Sequence, residues 1–393
     1  MRVLHINDYQ TAGGAEVLAD RIIKEQRHRG IEASLFTSES VPGYRRSIFN
    51  YINNRVARSA LRKRIENDQP DIVHLHNFYH ALSPGILPEL ASLKRHHQLR
   101  IVATAHDYHL LCPNSGMRFF TRNHFGIADT QHLSKLGYLL RRRWDHRSLA
   151  HSQLKLWQHL WHYKIFKHQR FIDLVISPSR GLQVELSKRG FNAIWIPNPA
   201  PFSTDKSTTD PPTLAKPKGK LHLVFAGRVE PEKGVAEFIE NLTPDFEGVL
   251  TIVGEGAEVA RCKAISTKRK LNDAVRFMGR QTQQVTINTF ASAHVLILPS
   301  LFFETAGLTL LEALSVGTNI LTSDQAGAAE IMKDAGIGYV YKPGDTTDLC
   351  KQLANIQKDH VKNKLNTFDA SEFLASRNET QFVDQICQAY QSQ

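Results

Sequence analysis

The sequence predicts an α/β chain of two doubly wound, Rossmann-like domains facing a cleft. Three observations carry this. Twelve short runs of β-branched and aliphatic residues, each suited to a buried parallel strand, alternate with stretches at helical spacing. The series breaks once, near the middle, at a proline-rich stretch. The chain, at 393 residues, is too long for one hydrophobic core and about right for two.

The first six runs are 3–7, 33–37, 72–76, 101–104, 174–177 and 193–196. Segment 199–220 then carries five prolines with Ser, Thr, Asp and Lys, and almost no large apolar residue after Phe202, which reads as a linker. Six further runs follow at 221–226, 249–253, 274–277, 295–298, 319–322 and 338–341. The domains are therefore 1–198 and 221–370. Ligand sites are expected outside the carboxyl ends of their strands.

Charge is unevenly spread. Residues 1–200 hold 29 Lys and Arg against 15 Asp and Glu, whereas residues 201–393 hold 20 against 23. An excess confined to one half implies a basic face with an anionic partner. Cys112, Cys262, Cys350 and Cys387 are scattered without metal-ligand spacing and read as reduced thiols. Met1-Arg2 leads straight into the first run, and no apolar run approaches the roughly 18 residues of a membrane span. The expectation is a cytoplasmic chain, at most peripheral at the inner face of a membrane.

The richest segment is 298–317, LPSLFFETAGLTLLEALSVG. A strand ends at Pro299-Ser300, a loop carries Glu304, and Gly307 opens an apolar helix containing Glu312. Free N–H groups of the helix's first turn and its dipole favour an anion there. Carboxylates on either side suit the hydroxyls of a nucleotide sugar, Glu304 at the sugar and Glu312 at the ribose. Gly307, Leu308 and Thr309 would supply N–H groups and one hydroxyl to the phosphates. The bland alternative is a first-turn acid and a solvated helix residue. Against it, Glu312 lies among Leu308, Leu310, Leu311, Ala313 and Leu314, where a carboxylate usually has a partner.

Three further groups lie at strand ends. Gly13 and Gly14 follow the first run and let backbone approach a ligand closely; their spacing is neither G-x-G-x-x-G nor a phosphate-binding P-loop. Arg228 and Lys233 in GRVEPEKG offer a planar fork and a point charge to one diphosphate. His106-Asp107 follows the run 101–104, and its imidazole can bond a sugar hydroxyl; His5, His74, His76 and His109 read as structural. No Asp-x-Asp pair ends a strand, so the cations and the helix terminus are expected to replace a divalent ion. Segment 135–170 interleaves nine Lys/Arg with Trp144, Trp157 and Trp161. It reads as a core-facing helix with a basic back, as an interfacial patch on anionic lipid, or, least favoured, as a nucleic-acid face.

FETAGLTLLEAL at 303–314 resembles the donor-site motif of GT-B glycosyltransferases of the large retaining family 4, the glycosyl transferases group 1. GGAE at 13–16, PDIVHLHNFY at 70–79, HDYHLLCPN at 106–114, VISPS at 175–179, IPNP at 196–199, FAGRVEPEKG at 225–234, IVGEG at 252–256 and RFMGR at 276–280 match in the same order. The resemblance implies a metal-independent transfer from a UDP- or GDP-sugar to an acceptor hydroxyl, with retention of configuration and no cofactor. It implies catalytic roles for His106, Glu304, Arg228 and Lys233. Donor-binding roles fall to Gly13, Gly14, Gly254, Gly307, Leu308, Thr309 and Glu312. It further implies that the final helix, within 371–393, packs back on the first domain. By analogy the acceptor is a lipid-linked glycan of bacterial surface polysaccharide (O-antigen, capsule or exopolysaccharide), with 135–170 on anionic membrane and no nucleic acid bound. An epimerase or hydrolase acting on nucleotide sugars, and a non-catalytic basic scaffold for membrane or nucleic acid, are the competing readings.

Overall fold

The computed structural model describes the chain except at residues 11–12, 46, 122–124, 201–218, 244–245, 303, 306, 326, 367–369 and 393. Two compact units emerge, Met1–Pro197 with Thr380–Gln393, and Asn198–Glu379. Most of the expected linker, 201–218, lies outside the described residues.

The first unit is built on β1 (Arg2–Ile6), β2 (Glu32–Phe36), β3 (Ile72–Leu75), β4 (Arg100–Thr104), a hairpin of β5 (Arg118–Phe120) and β6 (Phe125–Ile127), β7 (Leu174–Ser177) and β8 (Ala193–Trp195). Six of these form a parallel sheet in the order β2-β1-β3-β4-β7-β8, and the hairpin stands apart as an antiparallel pair. β3 reads IVHL and is buried throughout, as a parallel strand covered on both faces must be. One face is covered by the helix Glu379–Gln391. Its Phe382, Val383, Ile386, Ala389 and Tyr390 form a single apolar stripe against Val3, Ile72, Val102 and Leu174. Burying each large side chain of that stripe stabilises the unit by roughly 1.5–3 kcal/mol. Arg29 clamps the helix start through Asp384 and the Thr380 carbonyl.

The second unit carries β9 (Leu221–Ala226), β10 (Gly248–Val253), β11 (Val275–Gly279), β12 (Val295–Leu298), β13 (Asn319–Ser323) and β14 (Tyr339–Tyr341). Their order is β11-β10-β9-β12-β13-β14, again parallel throughout. In each sheet the order reverses at one place, between β1 and β3 and between β9 and β12. Such switch points leave a crevice at the carboxyl ends. In the second unit the crevice has a direct cause. β9 and β12 pair only through Leu223 with Val295 and Val224 with Leu296, and their last residues diverge.

The loops at this edge are packed backbone on backbone. A Cβ on Gly254, whose φ is +140°, would lie 1.9 Å from the Gly227 carbonyl oxygen, and one on Gly234, at φ +68°, would lie 2.1 Å from that of Pro299. Only glycine fits such positions.

Segment 135–170 is not one amphipathic element. It divides into the helices Leu136–Leu140 and Leu149–His159, a wider-turned continuation Leu160–Ile165 and a short turn His168–Phe171. Trp144 is fully buried and its indole N–H donates to the Leu139 carbonyl at 2.9 Å, so it belongs to the core and not to an interfacial belt. The guanidinium of Arg142 lies over the Tyr138 and Phe119 rings, and Arg143 donates to the Asp145 carbonyl at 2.7 Å. Trp157 and Trp161 face outward.

Gly254→Ala is expected to lower stability by about 2–4 kcal/mol, from strain and collision together. Gly190→Ala, at φ +81° with nothing within 4 Å, should cost only about 1 kcal/mol of left-handed strain. Denaturant midpoints compare the two; equal shifts would mean that the loops are not in contact as described.

Candidate active site

In the second unit the expected donor residues gather at the β9–β12 edge. Gly234 starts the helix Val235–Asn241 and brings the preceding turn, with Lys233, against the loop after β12. Leu301 N–H donates to the Glu232 carbonyl at 2.8 Å, fastening the two loops. Across that junction Lys233 Nζ meets Glu304 Oε1 at 2.7 Å, both side chains about one-fifth exposed. Ser300 Oγ donates to the same carboxylate oxygen, and the Phe302 ring lies 5.4 Å from the ammonium. The ammonium and the hydroxyl thus fix one oxygen of Glu304. Arg228 is exposed, and among the described residues its guanidinium makes no ion pair or hydrogen bond.

Gly307 is buried and precedes the helix Leu308–Ser315, with its carbonyl accepting from Leu311 N–H at 3.1 Å. Leu308 and Thr309 occupy the first turn. Glu312, one turn further, is half-buried and accepts from Gln283 Nε2 at 3.2 Å. Its carboxylate therefore has a partner on the neighbouring helix. Gly254, at the end of β10, donates its N–H to Gly279 O at 2.8 Å.

In the first unit Gly13 and Gly14 begin the helix Gly14–His28. Gly13 is extended, a conformation open to any residue, and the nearest described atom to a Cβ there would be Glu16 Oε2 at 3.4 Å. Its lack of a side chain is therefore not demanded by local backbone. Asp8, at the end of β1, accepts the N–H groups of His80, Ala81 and Leu82 at 2.7–2.8 Å and ties that loop to the edge.

His106 is half-buried beyond β4 and does not stand alone. Gln26 donates through Nε2 to Tyr390 Oη at 3.1 Å, so its Oε1 accepts from His5 Nε2–H at 2.8 Å. His5 Nδ1 must then accept, from His76 Nε2–H at 3.0 Å, and His76 Nδ1 accepts in turn from His106 Nε2–H at 3.0 Å. A neutral ring with its proton on Nε2 leaves Nδ1 as acceptor, so His106 carries an acceptor on its other nitrogen. A branch runs from Tyr390 Oη to His74 Nδ1, and from His74 Nε2 to Thr104 Oγ1, both at 2.7 Å. His5, His74 and His76 bring ligand atoms within 4.8 Å of one another, yet a metal ion would have to replace these bonds. Burial pushes His5 and His106 down to about 4, and His74 and His76 well below 6.5, which keeps the relay neutral. Beside it, burial raises the Asp107 carboxyl to about 7, while that group accepts from His109 N–H at 2.8 Å and from the Tyr79 hydroxyl.

Two family models match in series, Glycosyltransferase Family 4 over residues 12–201 and Glycosyl transferases group 1 over 206–370. The chain belongs to the GT-B glycosyltransferases. It is 26% identical over 237 residues to phosphatidyl-myo-inositol mannosyltransferase of Mycobacterium leprae, covering 59% of this chain and 60% of that protein. It is 29% identical over 227 residues to lipopolysaccharide 1,6-galactosyltransferase of Salmonella typhimurium, covering 55% and 62%. The chain thus matches somewhat less than two thirds of the length of these relatives. HepE of Anabaena, solved in complex with UDP-glucose, shares the fold at a TM-score of 0.64 and 15% identity over 100% of both chains.

Within this GT-B chain the sequence identifies His106 but leaves His5, His74 and His76 as structural. His5 and His74 stand opposite each other in the β1–β3 register, and His76 directly follows β3. Histidine at the carboxyl ends of neighbouring strands was the available signal.

Nitrogen NMR of histidine-labelled protein should find His5, His76 and His106 all protonated at Nε2 and untitrated between pH 8 and pH 6. A proton on His106 Nδ1 would reverse the relay. Stability should also depend on acidity. Between about pH 6.5 and pH 4 the unfolded chain takes up protons that the buried rings refuse, so stability falls as pH falls. His5, His74 and His76, whose rings burial holds neutral in the folded chain, each contribute to that loss. Asp107, with its raised pKa, opposes this by one proton. Denaturation at pH 7.5, 6 and 5 checks it; an unchanged midpoint would mean that the rings protonate in the folded state.

Proposed function

We propose that the chain is a retaining, metal-independent glycosyltransferase that moves a sugar from a UDP- or GDP-sugar to an acceptor hydroxyl. The observation that carries this reading is the Lys233–Glu304 pair, 2.7 Å apart and joining the β9 and β12 loops at the switch point. Its ammonium is held in place before any ligand arrives, with Arg228 exposed five residues earlier and the helix Leu308–Ser315 just beyond Glu304. Negative charge grows on the nucleoside diphosphate as the glycosidic bond breaks. The Lys233 ammonium, the Arg228 guanidinium and first-turn N–H groups of Gly307, Leu308 and Thr309 stabilise that charge more than they stabilise the intact donor, which is what lowers a barrier. Glu304, with one oxygen held by Lys233 and Ser300, keeps its carboxylate oriented for the sugar hydroxyls. Glu312 takes the ribose, and Gly254 keeps the β10 edge low enough for the nucleotide.

His106, its ring oriented by His76, bonds a sugar hydroxyl, and Gly13 and Gly14 let the backbone approach the donor closely. The departing phosphate takes the acceptor's proton. Among the described residues no helix is long and apolar enough to cross a membrane. A chain with a basic first half suits a lipid-linked glycan acceptor at the inner face of the cytoplasmic membrane, in assembly of bacterial surface polysaccharide.

Lys233→Ala and Glu304→Ala should each lower turnover at least about 10²-fold, the scale of about 2.7–4 kcal/mol for a lost transition-state contact. Because the two groups touch, the double variant should fall little further than either single one. Arg228→Lys should also be poor, since the planar fork is lost. Turnover should survive EDTA. The assay is product formation and donor hydrolysis over a panel of UDP-, GDP- and ADP-sugars. Normal turnover in either folded alanine variant sinks the assignment, and loss with EDTA restored by Mn²⁺ or Mg²⁺ sinks metal independence.

A further inference from the structure

A groove in the first unit is left unused by the chemistry above. It has two adjoining parts. The inner part, of about 480 Å³, is lined by Tyr9, Tyr51, His80, Arg147 and Lys155 among others. The outer part, of about 310 Å³, is apolar and lies between the helices Ile48–Ile52 and Leu149–His159, bounded by Ile52, Ala150 and Trp157. Ile48, His151 and Leu154 line both parts, so the two adjoin. Each has the size of a small-molecule site, about 300–1,000 Å³.

The walls are held by polar anchors. Gln158 Nε2 donates to the carbonyls of Tyr51 and Tyr79, and His162 Nε2 donates to that of Ile52 at 2.6 Å. Both anchors are buried, and His162 lies in the wider-turned segment Leu160–Ile165, a rare geometry frequent at functional sites.

The two ends differ in chemistry. At the inner end Arg147 and Lys155 share one buried carboxylate, Asp145, at 2.9 and 3.0 Å, so two cations stand against one anion. That end also includes Tyr9 and His80, beside the β1 edge that Asp8 fastens. Of the outer part's lining residues Ile48 (66%) and Trp157 (53%) are exposed, and the segments that carry them also expose Phe49 (84%), Trp161 (43%) and Ile165 (59%). Exposed large apolar side chains on both walls of a groove mark a surface with a partner. Trp and Phe beside cations suit the headgroup level of a bilayer.

We infer that this groove binds the acceptor as a membrane amphiphile. The anionic head occupies the Arg147–Lys155 pocket with its hydroxyl toward the β1 edge, the alkyl chain lies in the trough along Leu154, and the Phe49–Trp157 rim rests in the lipid from which the chain enters. This rests on the reading of the chain as a glycosyltransferase, but binding can be tested without turnover.

The probe is a dibrominated dodecyl phosphate below its micelle concentration, whose bromines quench tryptophan at contact. Quenching should saturate in the wild type, and Trp157→Phe should remove most of it. Ile48→Asp, at a position already 66% exposed and so tolerant in folding, should weaken binding at least tenfold, and Arg147→Gln several-fold. Inorganic phosphate alone should compete poorly. Absence of saturable quenching, equal binding of a neutral dodecyl glycoside, or an unchanged affinity in Ile48→Asp with a wild-type unfolding midpoint would each overturn the assignment. Donor hydrolysis measured on the wild type separates the two readings. Its absence over the nucleotide-sugar panel, with quenching intact, would fail the transferase reading and leave the amphiphile groove standing.

Discussion

Backbone meets backbone at the carboxyl edge of the second sheet, and the proposed donor site depends on that contact. Gly234 lets the β9 turn press on Pro299, and Gly254 lets the β10 loop press on Gly227. A side chain at either position would push the loops apart by more than the length of a hydrogen bond's tolerance. With the loops in contact, Lys233 reaches Glu304, Ser300 reaches the same oxygen, and the helix Leu308–Ser315 begins at a fixed distance from both. The rigid core of β9 and β12 below, buried to the last aliphatic residue, resists any relaxation that would relieve a poorer fit.

The first unit solves its own edge differently. There the groups at the strand ends are polar and buried, so each must find a partner or lose the free energy of its hydration. Asp8 satisfies three amides of one loop, and the histidines satisfy one another. A row of neutral imidazoles is an economical filling. Each ring is apolar in its faces, can stack on the next as His74 does on His76 at 4.4 Å, and transmits a direction through its two nitrogens. The chemical character of His106 is thereby decided some way from His106 itself.

All twelve sheet strands were legible in the sequence because parallel strands buried on both faces read as continuous aliphatic runs. β7, β9 and β12 appear at the predicted residues and the rest differ by a residue or two at an end. The hairpin β5–β6 was not legible: its strands are three residues each and half-buried, too short to show a period. The donor residues could be named because they follow strand ends in sequence. The relay could not, since Gln26 and Tyr390 enter it from helices far apart in the chain and only the strand order brings His5 and His74 side by side. Trp144 misled for a related reason. Composition counts aromatic residues without saying which way they point, and its inward turn toward Leu139 is a tertiary fact.

The stripe from Phe382 to Tyr390 has a bearing on the order of biosynthesis. A ribosome delivers the first sheet early, yet the helix that covers it arrives only after the whole second unit has been made. Until then the face formed by Val3, Ile72, Val102 and Leu174 is covered only in part, by Leu18 and Ile22 of the helix Gly14–His28, and Gln26 and His74 wait for the hydroxyl of Tyr390. The second unit can therefore finish folding before the first.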